Sequence, residues 1–218
     1  MVREQHSGLE MILVKVKGIN FEQYISSLDK PAKKNWKYVE KHNQDLEYMR
    51  IPYDRIELRK FMDLWEQQPI RGECRRWAFG LEYPDKLERQ GKLRLFVAVK
   101  KNGEKIAMHF VEVHDGYVEC HPPMYDKAKY SKRYLAKYMW FNLFKYAINQ
   151  PDMEWIDLGG GNDGDWIEMI KTRDQYPNPR YKWMYVPEYV KKYPDRQQNF
   201  ALRLPQGKLG DIKFLAEI

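Results

Sequence analysis

Between Asp54 and Gln67 the hydrophobic pattern is helical: Leu58, Phe61, Met62 and Trp65 stand at i, i+3, i+4 and i+7 and share one face. Pro69 and Gly72 end this helix. The period then changes. Leu93–Lys101 is apolar and β-branched, Asn102-Gly103 follows, and Ile106–His114 is a second such run. An Asn-Gly between two strands predicts a type I′ hairpin. Asp115-Gly116 repeats the signal before Tyr117–His121, so residues 93–121 read as a three-stranded antiparallel meander, stopped by Pro122-Pro123.

From Tyr130 or Ser131 to about Asn149 the pattern is helical again and apolar nearly all round, with Leu135, Tyr138, Met139, Trp140, Phe141, Leu143 and Phe144. Such a helix is buried against a sheet. Pro151 breaks it, and Trp155–Leu158 follows as a buried strand running into Gly159, Gly160 and Gly161. Strand, crossover helix and strand in one sheet call for a parallel neighbour, so the sheet is mixed. Weaker signals complete the chain. Met11–Val16 is a first strand closed by Gly18, and Phe21–Leu28 is a brief helix. Ala32–Asn43 is a helix with a basic face of Lys33, Lys34, Lys37 and Lys41. Leu46–Ile51 is a strand, Pro84–Gln90 and Asp165–Thr172 are short helices, and Tyr181–Val186 is a last strand before a polar tail. The expected fold class is α/β, with a mixed, mostly antiparallel central sheet flanked by helices. Without repeats or a low-complexity linker, residues 1–218 form a single domain with a core of about 21–186 and a C-terminal extension at 187–218.

Charge and composition narrow the partners. The 218 residues carry a formal net charge of +7, which favours anionic partners such as nucleotides, coenzyme phosphates, tRNA or acidic membranes. Aromatic residues make up 15%, so many rings must line grooves or cap the core. Cys74 and Cys120 have neither metal spacing nor a disulfide framework, and a reducing, cytoplasmic compartment is expected. No apolar run follows a basic N-terminus as in a signal peptide. The most apolar segment, Tyr134–Ile148, is interrupted by Lys137 and Lys145 and is too short to span a bilayer.

The glycines after Leu158 admit two readings. Gly159-x-Gly161-x-x-Gly164 matches the dinucleotide fingerprint, with Glu188 placed for a ribose. Against it, only 54 residues follow Gly164, and an antiparallel meander precedes it. The stretch is not a calcium loop, since Gly159 and Gly161 stand where that loop needs oxygen ligands. No histidine pair has metal-protease spacing, and no metal site is expected. His109 reads as a satisfied sheet histidine. Glu119 and His121 point to one face of their strand with Tyr117, either as a general base and its positioning group or as a polar sheet face. Asp157, at a strand end, is a hydrogen-bonded structural group or a site residue.

The order of strand, Asn-Gly hairpin, strand, helix and a strand ending in Asp157-Leu-Gly-Gly-Gly161 resembles the GNAT superfamily of acyltransferases. More closely it resembles the branch holding the Fem-type aminoacyl transferases and CelD-like (BioF2-like) acetyltransferase domains. The matching pieces are Ser27-Leu28 before the Lys/Asn-rich helix, Phe96–Phe110 with its turn, Tyr125-Asp126 with Tyr130-Ser131, and Asp157–Gly161 with Lys171 downstream. The resemblance covers roughly residues 21–186.

The resemblance implies a GNAT-like (acyl-CoA N-acyltransferase) fold and transfer of an acetyl or aminoacyl group from a thioester or ester to an amine. Glu119, His121 and Asp157 become candidates for base or substrate anchor. Such chemistry also needs oxyanion donors and a splayed pair of strands to seat the acyl chain. GNAT enzymes that use coenzyme A carry a glycine-rich pyrophosphate loop before the central helix, whereas Tyr130–Ala136 has no glycine. Acetyl-CoA, another acyl-CoA and aminoacyl-tRNA all stay open as donors. Lys132 and Arg133 are expected in the first turn of the central helix, where cations are unfavourable unless an anion binds. Tyr130, Ser131, Lys132, Arg133 and Lys171 are therefore the candidate donor-binding residues. The alternatives are that Lys132 and Arg133 turn to solvent or pair with Asp126, and that the whole chain is a non-enzymatic module whose basic, aromatic surface binds RNA.

Overall fold

The structure is a computed structural model and describes residues 10–28, 30–67, 69–70, 73–74, 80–160 and 181–185. Strand β1 (Glu10–Lys15) leads to helix α1 (Phe21–Ser27), where Asn20 and Gln23 form a capping box. Helix α2 (Lys30–His42), strand β2 (Leu46–Ile51) and helix α3 (Arg55–Glu66) follow. Asp54 starts α3 by accepting the backbone N–H groups of Ile56 and Glu57 at 2.9 and 3.0 Å. A small hairpin, β3 (Pro69–Ile70) with β4 (Glu73–Cys74), and helix α4 (Glu82–Arg89) precede the meander β5 (Leu93–Lys100), β6 (Lys105–His114) and β7 (Tyr117–Cys120). Short elements β8 (Met124–Tyr125) and α5 (Lys127–Tyr130) lead to helix α6 (Leu135–Ile148), then β9 (Trp155–Gly160) and β10 (Tyr181–Tyr185).

Among the described residues the main sheet has eight strands, in the order β10-β1-β9-β7-β6-β5-β2, with β8 continuing along the edge of β6 that β7 occupies. Only β7 and β9 pair in parallel; the other ladders of this sheet are antiparallel. That is the mixed sheet expected, and it excludes the doubly wound sheet a dinucleotide fingerprint needs. Strand β9 also runs two residues further than Leu158, since Gly160 pairs with Met11 of β1.

Both faces of the sheet are covered, which is why the central strands are apolar on successive positions rather than alternating. On one face Phe96, Val111, Val118 and Ile156 pack on Tyr24 of α1 and on Trp140, Leu143 and Phe144 of α6. On the other, Leu93, Leu95, Val97, Met108 and Phe110 pack on Leu58, Phe61 and Met62 of α3 and Leu87 of α4.

The turns differ from the type I′ expectation. That type needs positive φ at both central residues. Only Gly103 (φ 83°) and Gly116 (φ 78°) have it, not Asn102 or Asp115. The first turn closes as a three-residue loop, with Lys100 N–H donating to Glu104 O at 2.9 Å, and Asn102 Oδ1 accepts Glu104 N–H at 3.1 Å. Glu104 gathers Lys100 (2.7 Å), Tyr130 (2.9 Å) and Lys129 (3.2 Å) around its carboxylate. The Lys100 ammonium first, then the Tyr130 hydroxyl and Lys129, hold its pKa down to about 2 from an ordinary 4.5. A depressed carboxylate contributes stability above its unfolded pKa and loses it as pH falls through the folded value. The thermal midpoint of Glu104→Gln should therefore lie below wild type at pH 7 and converge on it between pH 4.5 and about 2. A midpoint difference that persists at the acid end contradicts this.

Candidate active site

The hairpin β6–β7 sets the site by its residue count. A two-residue loop places His114 opposite Tyr117 and hence Glu112 opposite Glu119. The parallel ladder then places Glu119 opposite Asp157. Residues paired across neighbouring strands share a face of the sheet. Three carboxylates thus stand in a lateral row at the centre of the sheet, on the face covered by α3 and α4, and all three are fully buried. The β7–β9 ladder ends at this row while β9 continues to Gly160, so the two strands part just beyond Glu119 and Asp157.

Glu112 is the hub. Its Oε1 accepts from the Tyr83 hydroxyl at 2.5 Å and lies 2.7 Å from His121 Nε2; its Oε2 lies 3.3 Å from His114 Nε2. A carboxylate only accepts, so His121 carries its proton on Nε2 and Nδ1 keeps the basic lone pair. The His121 ring stacks on Phe110 at 4.0 Å, and Tyr83 meets it edge-on at 6.2 Å. His114 stacks on Tyr117 at 4.4 Å. A buried carboxylate orienting an imidazole is an arrangement for taking a proton from a substrate. Glu112, Glu119 and His121 also bring one donor atom each within 4.8 Å of one another, close enough to hold a divalent cation. The two short hydrogen bonds already made to Glu112 Oε1 favour the acid–base arrangement over a metal centre.

Comparison with known proteins identifies the family and the fold. The family described as the acetyltransferase (GNAT) domain matches residues 30–182, more than half of the chain. The chain belongs to this GNAT acetyltransferase family. No curated protein matches it by sequence. Among solved structures it is similar to FemX, with a TM-score of 0.55 at 10% identity over 88% of this chain. It spans 59% of the FemX chain. Weaker likenesses are to L-PGS from Bacillus licheniformis (TM-score 0.47, 15% identity, 81% of this chain and 57% of that one) and to an aminoglycoside acetyltransferase from an uncultured soil metagenomic sample (TM-score 0.43, 14% identity, 57% and 84%).

On this GNAT fold, Glu119 and His121 come together, and Asp157 is next in the row. Glu112 and Tyr83 complete the group and were not singled out from the sequence. His109 is a buried sheet histidine, but it is only half satisfied: its Nε2 is hydrogen-bonded to the backbone of His121, while its Nδ1 has no hydrogen-bond partner among the described residues.

The segment before the central helix is built differently from the expectation. Ser131–Arg133 is a 3-10 turn, Tyr134 takes the left-handed conformation (φ 53°, ψ 42°), and α6 begins at Leu135. Lys132 and Arg133 therefore precede the helix rather than occupying its first turn. A left-handed residue cannot continue a right-handed turn, so Tyr134 marks the boundary. Tertiary contacts hold it there. Asn43 Nδ2 donates to Arg133 O at 2.9 Å, and the Arg133 guanidinium grips Asp45 with both arms at 2.8 and 2.9 Å. Asp45 is thus the partner of Arg133, while Asp126 caps α5 through Lys129 N–H. The Tyr130 hydroxyl is engaged by Glu104, whereas Ser131 and Lys132 are exposed. Lys171, Gly161, Gly164, Glu188 and the helix expected at 165–172 lie outside the described residues.

Proposed function

We propose that this protein is an N-acyltransferase that moves an acetyl or aminoacyl group from a thioester or ester to an amine. The observation that carries the reading is the buried Glu112–His121 pair, set beside Glu119 and Asp157 where β7 and β9 part. An amine acceptor arrives at neutral pH as an ammonium ion. The carboxylate row favours that cation, and His121 Nδ1 takes its proton. The freed amine attacks the acyl carbon and forms the C–N bond. Collapse of the tetrahedral intermediate breaks the C–S or C–O bond, and the thiol or hydroxyl leaves with a proton. Glu112 orients the imidazole and favours the imidazolium; Glu119 and Asp157 anchor the acceptor. The parting strands seat the acyl chain.

The donor carries phosphates, in keeping with a formal net charge of +7. Acyl-CoA and aminoacyl-tRNA share that chemistry and an adenine nucleotide. We place the phosphates at Ser131 and Lys132, ahead of α6, with Tyr130 and Arg133 fixing the turn and Lys171 as a further candidate. Tyr38 and Tyr134 support a nucleotide here: each is 43% exposed, and their rings meet edge-on at 5.2 Å. Lys137 Nζ lies 5.4 Å from the Tyr134 ring centre. No described helix is long and apolar enough to cross a membrane.

The test is transfer itself. The protein is incubated with acetyl-CoA, or separately with charged tRNA, and a panel of amines, and N-acylated product is followed by mass spectrometry. Product with either donor supports the reading. Steeply salt-dependent tRNA binding without transfer from any donor supports the RNA-binding alternative instead. Lys132→Ala should weaken binding of the productive donor about two- to five-fold, the range of an exposed ion pair, without lowering the thermal midpoint. Unchanged affinity removes Lys132 from the donor site.

A further inference from the structure

Strands β7 and β8 lie along the same edge of β6, but their registers differ by one residue: Val111 faces Cys120, whereas Met108 faces Met124. Residues 121–123 therefore stand opposite only His109 and Phe110, as a β-bulge that interrupts the ladder. Pro122 and Pro123 have no N–H to offer. The carbonyl of His121 takes its hydrogen bond from a side chain instead, that of His109 through Nε2.

His109 reaches this carbonyl from the opposite face of the sheet. Its ring is fully buried and packs edge-on against Trp140 of α6 at 4.8 Å, whereas Glu112 and the His121 ring lie on the α3–α4 face. A carbonyl only accepts, so His109 is the Nε2–H tautomer. Burial pushes its pKa down to about 3, so it stays a neutral donor at neutral pH. A bulge re-aims the side chain it carries, and the side chain carried here is His121.

We propose that His109 is a positioning residue: by holding the His121 carbonyl across the bulge, it fixes the His121 ring on Glu112. The significance for catalysis rests on the acyltransferase reading above, but the positioning does not, and it is measured without turnover. Nitrogen-15 spectra of the imidazole rings report tautomer and titration for each histidine of the full chain. In wild type, His109 should show the Nε2–H tautomer and stay neutral from pH 8 down to about 4. His109→Phe keeps a ring beside Trp140 but removes the donor; it should move the His121 titration midpoint by about half a pH unit or more, or change its tautomer. His109→Gln keeps an N–H donor and should leave His121 as in wild type. A wild-type His109 that is Nδ1–H, or that titrates near 6.5, overturns the proposal. So does a folded His109→Phe with an unchanged His121. If the phenylalanine variant does not fold, His109→Gln decides, since a folded glutamine variant with a shifted His121 also overturns it. Loss of acyl transfer with these spectra intact would count against the functional reading alone.

Discussion

Replacing His121 with alanine should lower kcat/KM for acyl transfer by about 10²–10⁴-fold, the usual contribution of a positioned general base. Binding of the donor should be unchanged, because the exposed turn before α6 and the buried row are different places on the fold. Glu112→Gln should fall in the same range while keeping side-chain volume, because an amide no longer stabilises the imidazolium. The two losses should not add: if Glu112 works through His121, the double variant is little worse than His121→Ala. An additive double variant would give Glu112 an independent role, such as contact with the acceptor. A His121→Ala enzyme with near-normal kcat/KM would move the base to Glu119 or Asp157. The cost of the alanine to stability should be modest beside its effect on rate, since it removes one side of a buried pair but leaves Glu112 bonded to Tyr83 and His114.

The fold was legible wherever periodicity carried it. Leu58, Phe61, Met62 and Trp65 marked α3 because that helix buries one face, and the two glycine turns bounded the meander, whose strands are apolar on successive positions because both of their faces are covered. Three of the five residues gathered in the candidate site were legible as well. Glu119, His121 and Asp157 are polar residues in or next to otherwise apolar strand segments, although Asp157 lies inside β9 and His121 just beyond β7. Glu112 could have been found by counting back through the Asp115-Gly116 turn, since a two-residue loop fixes the register whatever its turn type. Tyr83 carries no such signal, because its bond to Glu112 depends on how α4 packs on the sheet. The start of α6 was misplaced for a similar reason. Left-handed residues are usually Gly or Asn, and Tyr134 gives no local warning. Its conformation is imposed by Asn43 and Asp45, about ninety residues away in sequence, through their grip on Arg133. Periodicity therefore located the elements, while the side chains that join one element to another had to be seen in three dimensions.

Phe110 joins core and site, and two substitutions should separate its roles. It is fully buried among Leu58, Met62, Leu95 and Met108, and it carries the stacked His121 ring on the same side of the sheet. Phe110→Ala leaves a cavity that rigid strands cannot close and should cost about 3–5 kcal/mol. For a domain of this size that is a drop in Tm of about 6–20 °C. Phe110→Leu keeps most of the volume and should cost no more than about 1.5 kcal/mol, yet it removes the flat surface under the imidazole. An aromatic pair contributes about 0.5–1.5 kcal/mol beyond area burial, so kcat/KM should fall about two- to ten-fold in the leucine variant while its Tm stays close to wild type. The effect must run through His121. In a His121→Ala background, Phe110→Leu should therefore change the residual rate by less than about two-fold. Thermal unfolding of the single variants, with kcat/KM for all four members of the cycle, measures each term. A leucine variant that loses stability as the alanine does makes Phe110 a packing residue only, and a full rate loss persisting without His121 means that the ring acts on the substrate directly.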